Sequence, residues 1–141
     1  MSRGGVSTSY LPMTRRRTIK IFAVVAMAFV GGAFYLSHAN RQSAINAATT
    51  WARLAPLPPS AQNVQVGVKG GMFTREFVIT FDAPAAIIQQ WVAASPGPSS
   101  ATQSTVGSIT TYAIKPGGGA QFAEVKVDSS ANRVVIHTYW S

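Results

Sequence analysis

The chain has 141 residues, enough for one small domain and an appendage, and its 12 Lys+Arg against 4 Asp+Glu give a formal charge of +8. The placement of those charges excludes a nucleic-acid footprint: Arg3, Arg15, Arg16, Arg17 and Lys20 come before a long apolar run, and the later Arg41, Arg53, Lys69, Arg75, Lys115, Lys126 and Arg133 are scattered among Glu76, Asp82, Glu124 and Asp128 instead of forming a stripe. There is no cysteine, which excludes disulfides, thiolate nucleophiles, Cys-based zinc sites and a lipoprotein attachment thiol.

In chain order, residues 1–18 form a Gly/Ser/Thr-rich and basic tail, "MSRGGVSTSYLPM" followed by the arginines, of the composition that stays unfolded. Residues 19–37 then predict a transmembrane helix. Ile21 to Leu36 carries no charge, and at 1.5 Å per residue the segment spans roughly 24 to 28 Å of a hydrocarbon core about 30 Å thick. Lys20 can snorkel to the headgroups and Tyr35 suits the far interface. The basic residues before the run place the N-terminus in the cytoplasm and the rest of the chain outside the bacterial inner membrane, periplasmic or extracellular. The competing reading is an exported protein with a cleaved signal. Ser37-His38-Ala39 is an acceptable small-x-small site for cutting after Ala39, and Thr14-Arg15-Arg16-Arg17 resembles a twin-arginine export motif, with Thr18 where a large apolar residue is usual. The run is longer than a signal core of about 7 to 15 residues, which favours the anchor. Within it, Ala28 and Gly32 have the small-xxx-small spacing of a membrane-helix contact, through which a homo-oligomer or another membrane protein could pack.

Residues 38–55, "NRQSAINAATTWARL" at their centre, predict a stalk helix with Ile45, Ala48, Trp51 and Ala52 on one face, stopped by Pro56, Pro58 and Pro59. Residues 56–141 predict an extracytoplasmic α+β domain. Val64, Val66 and Val68 alternate, Gly70-Gly71 turns the chain, and "MFTREFVITF" puts Phe73, Phe77, Ile79 and Phe81 in one row, with Arg75 in that row as a strand-end residue. "DAPAAIIQQWVAAS" predicts a helix capped by Asp82, with Ile87, Ile88, Trp91 and Val92 as its stripe. "SPGPSSATQSTVGS" reads as a long loop, "SITTYAI" as a strand, "KPGGGA" as a connector, and "AQFAEVKVD" and "RVVIHTYWS" as a final hairpin. The expected fold is α+β in the order α-β-β-α-β-β-β: a mostly antiparallel sheet of about five strands with one helix packed on it. The C-terminal pattern, "VD" followed by Asn132, Val134, Ile136 and the closing "WS", resembles uncharacterised bacterial single-pass envelope proteins with a small C-terminal α+β domain. The resemblance covers about the C-terminal half and implies no activity.

Chemistry-bearing residues are few. Lys115 precedes its glycines and leads into a strand, the reverse of a phosphate loop, in which glycines precede a Lys-Ser/Thr pair opening a helix. In the final hairpin, a loop centred on Ser130 and Ala131 pairs Val127 with Val134 and Val125 with Ile136 as a core row. The other face then has Glu124 opposite His137, a carboxylate–imidazole pair of the kind used in acid–base catalysis. No serine sits in a nucleophile motif and no third member is identifiable, so the plainer reading is an exposed ion pair. His38 lies at the membrane end, and one domain histidine with one glutamate is a sparse metal site. The sequence therefore points to a chain without a cofactor: a non-catalytic accessory or interaction module of the cell envelope. The alternative is a membrane-tethered enzyme using Glu124 and His137. A small-ligand binder would need a pocket that one sheet and one helix hardly supply.

Overall fold

The structure is a computed structural model that describes residues 38–141. The tail, the span at 19–37 and its Ala28/Gly32 seam lie outside the described residues. Among the described residues no helix is long and apolar enough to cross a membrane. Ala39–Ser141 forms one compact unit.

The described part of α1 covers residues 38–51. It lays Ala44 and Ala48 into the core, joined just past its end by Ala52, and the last two are fully buried. Alanines four residues apart form a smooth stripe that allows the helix to lie close on a sheet. Trp51 packs against Phe77 with ring centroids 5.1 Å apart. The helix ends before the prolines. The Leu54 N–H donates to Thr49 O (2.8 Å) and the Arg53 N–H to Thr50 O (3.2 Å), the paired bonds of a Schellman terminus, with Arg53 in the left-handed region at φ 53°.

Six strands follow: β1 (Gln62–Lys69), β2 (Arg75–Asp82), β3 (Thr102–Val106), β4 (Ile109–Ile114), β5 (Phe122–Asp128) and β6 (Arg133–Trp140). Between β2 and β3 lie α2 (Ala85–Ala94) and the single turn α3 (Pro96–Ser99). The sheet order is β1-β2-β6-β5-β4-β3, and every neighbouring pair is antiparallel. The chain leaves β2, crosses through the helices to the far edge, and returns strand by strand until β6 fills the gap beside β2. The fold class is α+β, as expected. The observed order, α-β-β-α-α-β-β-β-β, has one strand and one short helix more than the sequence reading.

Both additions come from residues 95–108, read above as a loop. Gly107 (φ 61°) and Ser108 make a two-residue turn of the hairpin type, so Thr102–Val106 folds back on Ile109–Ala113. Two other expectations are corrected. Asp82 does not cap α2; Pro84 occupies the N-cap position without a side-chain bond, because Asp82 is still within β2 and turns to Arg133. Phe73 is not in the apolar row of β2; it lies in the β1–β2 loop, 75% exposed beside Met72 at 88%, since the strand begins at Arg75.

Strand alternation sends one face of the sheet to the helices. Phe77, Ile79, Phe81, Val125, Val134 and Ile136 are buried there against α1 and α2. Trp91 of α2 meets the edge of Phe81 at 5.3 Å and donates through Nε1 to the carbonyls of Ala55 and Pro56. Ser95, fully buried, ties the same two segments: its Oγ accepts from the Ala55 N–H (3.0 Å) and donates to Trp91 O (2.7 Å). Gly97 donates its N–H to Arg53 O, and a Cβ at Gly97 would fall 2.1 Å from Ala52 O, so no larger residue fits this crossing.

Candidate functional site

The face of the sheet away from the helices carries most of the titratable groups. Pairing places Glu76, Val78, Thr80 and Asp82 of β2 beside Tyr139, His137, Val135 and Arg133 of β6, and beyond them Phe122, Glu124, Lys126 and Asp128 of β5. The register of the final hairpin is the one expected, with Glu124 directly opposite His137.

The two side chains nevertheless turn to other partners. The His137 Nε2 lies 2.8 Å from Glu76 Oε1, a diagonal neighbour on β2, and the Glu124 carboxylate lies 2.9 Å from Lys126 Nζ on its own strand. The Phe122 ring sits against the His137 imidazole at 5.1 Å. The Glu76 and His137 side chains keep 30% and 35% of their surface exposed, so the pair stands on an open face. Sequence reasoning missed Glu76 because it requires knowing that β6 inserts next to β2, a pairing between residues 61 apart in the chain.

At one end of this face the Arg133 guanidinium grips Asp82 through two bonds of 2.7 and 3.0 Å, and Asn63 donates a third at 3.0 Å. Arg133 first, and Asn63 next, hold the Asp82 carboxyl at about 2. Asp128 is likewise held at about 2 by the hydroxyls of Ser130 and Ser108 and the turn amides. Asp128 accepts from Ser130 Oγ at 2.7 Å and closes the β5–β6 turn. Both carboxylates serve turn and strand-end structure.

Concave space lies on the opposite face. A half-open groove of about 500 Å³ runs between α2, α3 and strands β3 to β5, floored by Ile88, Val92, Tyr112 and Val127 and edged by Gln89, Gln103 and Ser129. Neither Glu124 nor His137 lines it, and none of its residues is charged. It exists because α1 and α2 cover the β2–β6 half of the sheet while β3 and β4 extend beyond them. Among the described residues no group of three or more His, Cys, Asp or Glu could hold a metal ion. The Lys115–Gly119 connector serves the helix: the Gly117 N–H donates to Trp51 O at 2.8 Å, and Gly118 (φ 60°) lies against the Trp51 ring.

Comparison of the chain with protein-family models, with curated proteins and with solved structures found no match.

Proposed function

We propose that this chain is a non-catalytic interaction module of the bacterial envelope, held at the inner membrane by residues 19–37 with its N-terminus in the cytoplasm and its α+β domain outside. The observation that carries the reading is the disposition of its acid–base groups. Glu124 is engaged by Lys126, His137 by Glu76, and both pairs stand on an open sheet face remote from the groove. Acid–base catalysis needs a group within reach of a bound substrate, and the groove has no Asp, Glu, His, Lys or Arg on its walls. A partner protein of the membrane or envelope is the ligand class that suits an open, mixed face carrying Phe122 and Ile109, each about two-fifths exposed. The anchor rests on the length of the apolar run and the Arg15–Arg17 cluster; intact-mass analysis of the mature protein is its test, and a chain beginning at Asn40 would contradict it. The functional test is complementation of a deletion strain by Glu124→Gln with His137→Gln, which keeps hydrogen-bonding capacity and removes proton transfer. The module reading expects normal complementation.

The groove supports a second reading, a binder of a small neutral ligand, since apolar floors with a few polar groups are the usual make-up of such sites. Val92→Glu, which would put a charge in the groove wall, abolishes function under that reading and leaves it intact under the first.

A further inference from the structure

The two edges of the sheet are unlike. The β1 edge is blunted: its register with β2 shifts between Gln62 and Gln65, Asn63 takes a left-handed φ of 50°, Arg41 of α1 donates to the Val64 carbonyl, and Lys69 ends the strand. These are the devices by which natural proteins keep an edge from pairing with another chain. The β3 edge has none of them. Thr102-Gln103-Ser104-Thr105-Val106 contains no charge, proline or glycine, pairs with β4 without a shift, and is exposed along its whole length. No second strand pairs with its other side among the described residues.

The charge map isolates the same region. Residues 83–114 contain no Asp, Glu, Lys, Arg or His, although the chain as a whole is strongly basic. Copies of a basic protein repel one another except where they can meet through an uncharged surface. The helices α2 and α3 with strands β3 and β4 make up that charge-free end.

We infer that β3 pairs antiparallel with β3 of a second copy of this chain, about a two-fold axis at Ser104. The two-residue turn makes Val106 and Ile109 a hydrogen-bonded pair, so alternation directs the Ser104 backbone groups toward β4 and those of Gln103 and Thr105 outward. In the two-fold arrangement each outward residue meets its match: Gln103 faces Thr105 of the second copy and exchanges both backbone bonds. Ser104 faces its own counterpart as a close, non-hydrogen-bonded pair. Thr102 covers Val106, which is 80% exposed in the single chain. Every side-chain pair is neutral, and the two charge-free grooves come together on one side of a continuous sheet. Five paired residues bury well under the roughly 1,000 Å² of a free-standing interface, so the contact draws on the raised local concentration that membrane confinement gives. In that respect alone it rests on the anchored module proposed above.

The absence of cysteine makes the test clean. A non-hydrogen-bonded cross-strand pair has Cα atoms about 4.5 Å apart, within disulfide range. Full-length chain carrying Ser104→Cys, in membranes and under mild oxidant, is expected to cross-link to a dimer, whereas Gln65→Cys, exposed near the blunted edge, stays monomeric. Adding Gln103→Lys with Thr105→Lys sets lysine against lysine and is expected to slow the cross-link roughly tenfold at unchanged thermal midpoint. Cross-linking of Ser104→Cys no faster than Gln65→Cys, or insensitive to the lysines, overturns the self-pairing. That result leaves the module reading to the complementation test, which needs no dimer.

Discussion

Thr138 is fully buried and its Oγ1 has no hydrogen-bond partner among the described residues. It sits in the core row of β6, between Phe77 and Ala123. A buried hydroxyl without a partner carries a desolvation cost that an isosteric methyl does not. Thr138→Val is therefore expected to raise unfolding free energy by about 1 to 2 kcal/mol in chemical denaturation; a fall would show that the hydroxyl has a role in the fold. Ser95 is the opposite case, with both of its bonds made inside. Ser95→Ala leaves the Ala55 amide unpaired and should lower stability by about 1 to 3 kcal/mol. Asp82 and Asp128 set the acid limit. Each is held at about 2 against an ordinary 3.8, so each contributes stability that is complete above pH 3.8 and is lost as pH falls toward 2. Thermal midpoints measured from pH 5 to 2 should fall across that window, and Asp82→Asn with Asp128→Asn should flatten the fall.

At the scale of elements, the final hairpin was the most legible part of the chain. Its two strands bring Val125, Val127, Val134 and Ile136 into one row in only one register, and that register is observed, with Val125, Val134 and Ile136 fully buried. Replacing Ile136 with Ala is expected to cost about 2 to 4 kcal/mol, read as a lowered denaturation midpoint at unchanged slope. β3 was not legible in the same way. Before Val106 its residues are polar on both faces, so no alternation marks them, and the prolines and serines before them carry a loop signature. The available signal was smaller: a Gly-Ser pair of hairpin length between Val106 and Ile109. The α1 terminus shows a further limit. Three prolines told that the helix stops, but the stop itself is made by Arg53 in a left-handed conformation that its residue type does not announce. Glu76 and Arg133 found their partners through the β2–β6 pairing, and that non-local neighbourhood is set by the return of the chain, which no local pattern encodes.

At the scale of the whole molecule, the described unit has three unlike surfaces: a helix-covered side, an open face with paired charges, and a charge-free end with a groove and an unblunted edge. In the proposed module, function lies in contact through these surfaces and none in proton transfer. The partly exposed Glu76–His137 pair is worth about 1 kcal/mol to the fold, so removing it leaves a folded protein in which only chemistry has been changed. The most direct measurement is complementation of a deletion strain at native expression by two variants. One is the full chain with Glu76→Gln, Glu124→Gln and His137→Gln; the other is residues 40–141 exported without the span. The account predicts that the triple variant complements as well as the parent while the released unit fails or needs overproduction, since confinement at the membrane supplies the effective concentration of a weak contact. A triple variant that fails to complement while the released unit works normally would contradict it, and would make Glu124 and His137 the working residues of an enzyme.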